Sequence, residues 1–210
     1  MSERDLIFKY FPTLTDRQKE QIDMLESLYA KWNSMINVIS RKDMDSFYVH
    51  HVLHSLSIAK ICCFAKGQNV ADVGCGGGVP SIPLAILFPD VNFTAIDSIA
   101  KKITVVRAVS EQLGLDNITA VTSRAEALDQ KFDFIVSRAV TNMPDFVRIV
   151  WSNLRKGSQA NLPNGILYLK GGDMDEELLR THLRWHRIKI NELFDEDYFS
   201  TKEIVYTEKL

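Results

Sequence analysis

The sequence predicts an α/β protein built on a parallel sheet, and three observations lead to that prediction. Short apolar runs typical of buried strands alternate with segments at helical spacing between residues 67 and 171. A glycine-rich loop, DVGCGGGVPSIP, follows the first of these runs, at the place where parallel sheets bind ligands. The first 66 residues, by contrast, carry only helical patterns.

Length and composition set the outer limits of the prediction. A chain of 210 residues with 46% hydrophobic and 25% charged residues is long enough for one sizeable core. The net charge of −2 argues against a protein that coats nucleic acid but leaves a local basic patch open. No apolar window reaches the length of a membrane span, and the start has no long apolar run. We therefore expect a cytoplasmic protein without a signal peptide or membrane association.

The three cysteines do not form a recognisable framework. Cys62 and Cys63 are adjacent and Cys75 lies in the glycine loop, a spacing that suits neither zinc nor a disulfide scaffold. We expect free thiols in a reducing compartment.

The N-terminal segment predicts helices with a large apolar face. Thr15 and Gln18 have the spacing of a capping box, and apolar residues from Ile22 to Ile36 follow at helical intervals. A second helical pattern extends from about Asp45 to Phe64. This apolar content predicts a helical extension, residues 1–66, that packs on a second unit formed by residues 67–210.

The second unit predicts five strands in a parallel sheet and an antiparallel pair at the edge of that sheet. The five strand-like runs are NVADVG, VNFTAID, NITAVTS, FDFIVSRA and GILYLKGG. One helix is expected to extend from the glycine loop through Ile86, and KKITVVRAVSEQLG forms another that Gly114 ends. The tail runs HRIKINELF and KEIVYTEKL, joined by a loop only, form the expected antiparallel pair.

The glycine loop limits the choice of ligand. A phosphate loop requires a lysine after its glycines, and none follows here. A dinucleotide loop requires Gly-x-Gly-x-x-Gly, whereas Gly74, Gly76 and Gly78 give Gly-x-Gly-x-Gly, with Val79 where the last glycine belongs. S-adenosylmethionine carries no phosphate, and its carboxylate can lie against glycine backbone near a helix N-terminus. A tight turn without a ligand is the remaining alternative.

A carboxylate follows the second predicted strand, where a ribose would need an acceptor. Asp97 lies about 20 residues after the loop, the spacing expected for a contact with ribose hydroxyls. NAD would use the same residue, and an ordinary helix N-cap is a third interpretation, so Asp97 by itself leaves the cofactor open.

Seven segments between Leu28 and Gly171 resemble, in order and spacing, the RsmG (GidB) family of bacterial methyltransferases. They are LYAKWNSMINVIS, HHVLHSL, DVGCGGGVPSIPLAI, DSIAKKI, SRAEAL, FDFIVSRAV and LYLKG. The resemblance implies a class I SAM-dependent methyltransferase sheet, Rossmann-like, with N-terminal helices. It also implies S-adenosyl-L-methionine as cofactor, and methyl transfer to N7 of a guanine in 16S ribosomal RNA.

The resemblance also implies cofactor contacts for particular residues: Gly74 and Val79 in the loop, Ala125 and Glu126 after the third strand, and Arg138 after the fourth. With Gly76, Gly78 and Asp97 they form the predicted cofactor-binding set. The chain departs from the family at two positions, because the family commonly has Asp where this sequence has His54, and Gly where it has Ser81.

Basic residues near the predicted cleft are candidates for RNA contact. Two Ser-Arg-Ala triplets place Arg124 and Arg138 at strand ends, which we expect to bring both cations to one cleft. The candidate RNA-binding set is Arg41, Lys42, Lys101, Lys102, Arg124 and Lys170. For Lys101 and Lys102, a solvated helix face is an equally good interpretation.

Three histidines, His50, His51 and His54, have helical spacing that also suits metal ligands. No further ligand set accompanies them, so we expect no metal and interpret them as a polar helix face or an RNA contact.

The resemblance, together with these patterns, implies an RNA methyltransferase, and its chemistry needs no general base. Guanine N7 has a free lone pair at neutral pH, so alignment of the reactants is the main requirement, and Asp72 and Glu126 are expected to position the cofactor. The expected partner is small-subunit ribosomal RNA, naked or in an assembling particle, and we expect a monomer. An NAD-dependent oxidoreductase and a non-catalytic RNA-binding assembly factor remain the alternatives.

Overall fold

A seven-stranded sheet forms the centre of the protein. The computed structural model describes residues 2–40, 42–138 and 141–209. The strand order is β3-β2-β1-β4-β5-β7-β6, and the strands span Asn69–Val73 (β1), Asn92–Asp97 (β2), Ile118–Thr122 (β3), Phe134–Arg138 (β4), Gly165–Gly171 (β5), His186–Lys189 (β6) and Lys202–Glu208 (β7). Strands β1 to β5 are parallel, and the order reverses between β1 and β4. The predicted parallel sheet is confirmed, and its carboxyl edge at the reversal is where ligands bind in such folds.

Helices cover the sheet and precede it. They span Glu3–Tyr10 (α1), Asp16–Asn33 (α2), His54–Ile61 (α3), Ser81–Leu87 (α4), Ala100–Gln112 (α5), Met143–Val150 (α6) and Asp175–Leu179 (α7). A single π-helical turn, Tyr48–Leu53, leads into α3. The capping box at Thr15 is present, since Thr15 Oγ1 accepts from the Gln18 amide while the Gln18 side chain accepts from the Thr15 amide. Among the described residues, no helix has the length and apolar character needed to cross a membrane.

The N-terminal helices share a hydrophobic core with one face of the sheet. Ile22 and Leu25 of α2 belong to the same buried cluster as Ile82 of α4 and Phe93 of β2. Polar contacts support this packing, because the Gln21 side-chain amide donates to the Leu113 carbonyl at 2.8 Å. Burial of each large apolar side chain contributes about 1.5–3 kcal/mol, so α2 is strongly attached to the sheet.

The C-terminal pair of strands is antiparallel and lies at one edge of the sheet, as predicted. Strand β7 lies between β5 and β6, so β6 is the outer strand of the pair. The approach of β7 to β5 is close at Gly165, where an added Cβ would collide with the carbonyl oxygen of Thr207. Glycine is therefore required at the start of β5 for β7 to pair there.

Candidate functional site

The glycine loop turns sharply away from the end of β1. Gly74, Gly76 and Gly78 all have positive φ angles, of 72°, 56° and 96°. The amides of Gly74 and Cys75 both donate to the carbonyl of Ile96 in β2, at 2.8 and 3.0 Å. These bonds hold the loop against the adjacent strand, and the conformation is one that glycine adopts without steric cost. The sequence therefore requires glycine here for the shape of the loop.

Asp97 joins the loop to the end of β2. Its Oδ2 accepts from the Gly76 amide at 3.0 Å, and its Oδ1 accepts from the Ile99 amide at 2.8 Å. The N-cap of α5 is Ile99, so Asp97 is not the cap. Each carboxylate oxygen can accept more than one hydrogen bond, so Asp97 keeps acceptor capacity for ligand hydroxyls. The Asp97 side chain is thus held in place by the two amides and can still accept hydrogen bonds from ligand hydroxyls.

A cleft of about 560 Å³ opens at this edge of the sheet, and we call it the first cleft. Gly74 and Asp97 form one wall, and Ala125 and Glu126 form part of another. The predicted cofactor residues that line it are Gly74, Asp97, Ala125 and Glu126. The structure thus brings the ends of β1, β2 and β3 together around a space of the size that small-molecule ligands occupy.

The other predicted cofactor residues do not line the first cleft. Gly76, Gly78 and Val79 belong to the loop behind it, and Val79 is buried. An added Cβ on Gly76 would meet no protein atom within 4 Å, whereas one on Gly78 would lie 2.7 Å from Ile82 Cδ1. Gly76 therefore faces open space, while Gly78 packs against α4.

Asp72 lies beneath the glycine loop and is fully buried. Its Oδ2 accepts from the Ser81 amide at 2.9 Å, and its Oδ1 has no hydrogen-bond partner within the described ranges. Burial raises the pKa of Asp72 to about 7, against the opposing effect of its hydrogen bond with Ser81. The residue lines neither the first cleft nor the second cleft described next.

A second cleft of about 500 Å³ lies beside the first, and Thr141 lines both. Arg138 lines the second cleft, whereas Arg124 lines the first. The expectation that both arginines face one cleft is therefore wrong. Arg138 Nη1 donates to the His50 carbonyl at 3.0 Å, and Nη2 donates to His51 Nδ1 at 2.8 Å, which turns its side chain toward the N-terminal segment.

The three histidines do not form a polar helix face. His51 and His54 are 7% and 4% exposed, and only His50 is partly open. Burial, and then the charge of Arg138, lowers the pKa of His51 to about 3 and holds the pKa of His54 well below its usual value. Both rings are therefore neutral near pH 7. In the part of the chain that the structure describes, no group of three His, Cys, Asp or Glu residues could hold a metal ion.

The candidate RNA residues are distributed along this edge of the protein. Lys102 and Arg124 line the first cleft, and Lys170 lines the second. Lys42 and Lys101 are exposed and line neither cleft. Lys170 forms an ion pair with Glu177, so its charge is compensated within the protein. Arg41 lies outside the described residues.

One wall of the first cleft was not predicted from the sequence. Helix α6 contributes Asp145, Phe146, Arg148 and Ile149 to that wall. A signal for this helix was present, because Asn142 caps it and Pro144 occupies its first turn. In the second cleft, Lys202 and Tyr198 come from the C-terminal segment, and no local pattern assigns them to the site.

The sheet order, the glycine loop and the first cleft define a class I methyltransferase. Solved structures of such enzymes share the fold at low identity. TrmN from Thermus thermophilus matches with a TM-score of 0.56 and 19% identity over 76% of this chain and 48% of that one. A SAM-dependent methyltransferase from Aquifex aeolicus matches with a TM-score of 0.53 and 15% identity over 73% of this chain and 88% of that one.

Sequence comparison narrows the class to one family. The chain belongs to the GidB family, described as rRNA small subunit methyltransferase G, which matches residues 18–198. A ribosomal RNA small subunit methyltransferase G of Flavobacterium johnsoniae is 54% identical over 202 residues, 96% of each chain. The protein of the same name from Porphyromonas gingivalis is 50% identical over 203 residues, 96% of this chain and 92% of the relative.

Proposed function

We propose that this protein transfers a methyl group from S-adenosylmethionine to N7 of a guanine in 16S ribosomal RNA. The observation that carries the proposal is the first cleft, in which a glycine loop without a lysine meets Asp97 at the sheet edge. Membership of the rRNA small subunit methyltransferase G family supports the RNA substrate.

The residues of the first cleft fit the chemical groups of S-adenosylmethionine. When bound, this cofactor supplies a methyl group that its sulfonium charge already activates. Asp97 provides acceptor oxygens for ribose hydroxyls, and the half-buried Ala125 with the exposed Glu126 forms a wall beside the base. Gly76 leaves unfilled space next to the loop backbone. We infer that Gly74, Gly76, Gly78, Val79, Asp97, Ala125 and Glu126 form the cofactor site, some by lining it and others by shaping the loop. Arg138, the remaining predicted cofactor residue, lines the neighbouring second cleft instead.

The protein's contribution to the reaction is alignment of the two reactants. Guanine N7 offers its lone pair without losing a proton, so no side chain needs to act as a base. Asp72 is buried and lines neither cleft, which agrees with a role in supporting the loop. Holding the acceptor in line with the bond that breaks supplies much of the rate enhancement in such a transfer.

Cations around the first cleft support an RNA partner. Lys102 and Arg124 line the cleft beside Asp97, and Lys101 is exposed on the same helix as Lys102. Because the net charge is −2, attraction to RNA must come from this local group. We propose that the protein acts in the cytoplasm as a monomer, on ribosomal RNA that is naked or part of an assembling particle, with Arg41, Lys42, Lys101, Lys102, Arg124 and Lys170 as RNA contacts.

Transfer of labelled methyl groups to small-subunit ribosomal RNA tests this function. The RNA is taken from cells that lack the enzyme and is offered both naked and in particles, at two salt concentrations. We expect incorporation at guanine N7 that decreases with salt and that Arg124→Glu lowers by about tenfold or more. Methylation of DNA or a small molecule in place of ribosomal RNA would contradict the assignment.

Thermal shift measurements separate the alternative functions. S-adenosylmethionine and S-adenosylhomocysteine should raise the melting temperature, and NAD should not, because only a ligand that binds the folded state stabilises it. A shift with NAD alone would favour the oxidoreductase. A shift with S-adenosylmethionine but no methyl transfer to any RNA form would favour the non-catalytic assembly factor.

A further inference from the structure

The second cleft carries two cations that form no ion pair within the described residues. Arg138 and Lys202 line it, and neither has a carboxylate within 4.0 Å in the ranges that the structure describes. Asp43 also lines the cleft, where it hydrogen-bonds with His50 and Ser40, and its negative charge acts on Arg138 from beyond ion-pair distance. A largely buried guanidinium without an acidic partner is costly, so an anion from outside would improve the electrostatics of this cleft.

The floor of the cleft is made of neutral rings instead of acids. Arginine only donates hydrogen bonds, so His51 Nδ1 accepts from Arg138 and the ring proton is on Nε2. That Nε2, and both ring nitrogens of His54, have no hydrogen-bond partner among the described residues. Beneath the cleft, His51 therefore has one unpaired N–H, and the neutral His54 ring has one unpaired N–H and one unpaired acceptor nitrogen. Neither ring adds negative charge that would cancel the two cations.

The two cations converge on the same region. After burial, the charges of Arg138 and Lys202 are the largest influences that lower the pKa of His54. Lys202 begins β7, and its Nζ lies 5.1 Å from the centroid of the Tyr198 ring, which lines the same cleft. The stack of Tyr198 on His50, with centroids 3.9 Å apart, fixes that wall. Lys202 is therefore held at the cleft as a partly exposed cation.

We propose that the second cleft binds a backbone phosphate of the RNA, next to the guanosine that is methylated, with Lys202 as the direct contact. This inference rests on the proposed function. Thr141 lines both clefts, so the two adjoin. A strand whose base reaches the cofactor at this junction can therefore place its neighbouring phosphate at the second cleft. Arg138 supplies the buried charge behind Lys202, and the two cations favour an anion at this cleft.

The test uses Lys202→Gln, the charge-retaining Lys202→Arg, and Lys66→Gln as a matched control. Lys66 is exposed, and it precedes the amino end of β1, on the sheet edge opposite the clefts. Methyl transfer to ribosomal RNA is measured at several salt concentrations, and affinity for S-adenosylhomocysteine is measured by calorimetry. Binding of a labelled ribosomal RNA fragment is measured separately by fluorescence anisotropy.

We expect Lys202→Gln to raise the KM for RNA and the Kd for the fragment about tenfold. The same variant should lower the salt slope by about one unit, as loss of one phosphate contact does. Lys202→Arg should retain most of the affinity, and Lys66→Gln should behave as the wild type. Affinity for S-adenosylhomocysteine should stay unchanged in all three variants.

Other outcomes overturn the proposal or the function on which it rests. Equal RNA affinity and salt slope for Lys202→Gln and Lys66→Gln would show that no phosphate binds in the second cleft. An equal loss of affinity for S-adenosylhomocysteine and for RNA in Lys202→Gln would assign the cleft to the cofactor carboxylate. Absence of RNA methylation by the wild type, with fragment binding that still depends on Lys202, would remove the proposed function and leave the phosphate site standing.

Discussion

The hydroxyl of Tyr29 donates a hydrogen bond to the carbonyl of Gly77 at 2.8 Å. Tyr29 belongs to α2 and is fully buried, so this bond connects the N-terminal helices directly to the glycine loop. Burial raises the pKa of Tyr29, so the hydroxyl keeps its proton at neutral pH and can donate this bond. The side chain of Val38 also contacts this part of the loop, since it lies 3.0 Å from where a Gly77 Cβ would be. The extension therefore helps to set the shape of the loop.

Tyr29→Phe should weaken cofactor binding as well as the fold. The substitution leaves the Gly77 carbonyl without its partner, which costs about 1–3 kcal/mol of stability, and it frees the loop to move. Tyr48→Phe is the matched control, because the Tyr48 hydroxyl donates to the Ile22 carbonyl at 3.0 Å, within the N-terminal helices. Both variants should unfold at lower denaturant concentration, and calorimetry should show weaker S-adenosylhomocysteine binding for Tyr29→Phe only. Equal affinities in the two variants would contradict this role for Tyr29.

Gly76→Val should reduce cofactor affinity by at least about tenfold while the protein still folds. The new side chain would enter the unfilled space beside the loop, and the φ of +56° adds strain of about 1–2 kcal/mol. Gly67→Val controls for that strain, because Gly67 has a φ of +80° and open surroundings in the turn before β1. Thermal melts should show similar destabilisation of both variants. Undiminished affinity in folded Gly76→Val would exclude Gly76 from the cofactor site.

The raised pKa of the buried Asp72 carboxyl should make the free energy of unfolding depend on pH, and Asp72→Asn should remove that dependence. Between about pH 4 and about pH 7, the unfolded chain ionises this carboxyl while the folded protein keeps it protonated. The contribution of Asp72 to the free energy of unfolding is therefore full below about pH 4 and is lost as the pH rises toward about 7. Each unit of pKa difference corresponds to about 1.4 kcal/mol.

Urea unfolding of both proteins across this pH window measures the effect. The difference in free energy of unfolding, Asp72→Asn minus wild type, should grow as the pH rises. An unchanging difference would show that the pKa of Asp72 is the same in the folded and unfolded chains.

We propose that residues 1–66 and 67–210 form one cooperative folding unit. Ile22 and Leu25 are buried in the cluster that also contains Ile82 and Phe93, so removal of the extension would expose apolar surface on the sheet domain. A chain that begins at Gly67 should aggregate or unfold at a much lower temperature than the full chain. Solubility and a single melting transition equal to those of the full chain would refute this proposal.

The sequence predicted the parts of the site that depend on local backbone geometry. The glycine loop and Asp97 were identifiable because glycine permits positive φ and because strand and helix lengths fix their spacing. The separation of Arg124 from Arg138 could not be predicted, because equivalent positions at two strand ends do not reveal in which direction long side chains turn. Arg138 turns toward His50 and His51, residues almost 90 positions earlier in the chain.

Burial of the histidines was unpredictable for a related reason. The residues around them have helical spacing, but Tyr48–Leu53 is a π-helical turn, in which the usual period does not hold. His54 is also covered by Tyr198 and Phe199 from the far end of the chain, which contact its ring edge to face. A tertiary contact of this range leaves no periodic signal in the sequence.

Gly165 has a consequence for how mutational scans of this protein should be interpreted. Even a methyl group at that position collides with the backbone of β7, so alanine there would detach the strand that supplies Lys202. A survey that scores only growth or methylation would rank Gly165 beside Asp97, although Gly165 lines neither cleft. Intolerance to substitution at Gly165 would then reflect the packing of two strands and not a role in binding or catalysis. A separate measurement of protein abundance is needed to distinguish these two kinds of residue.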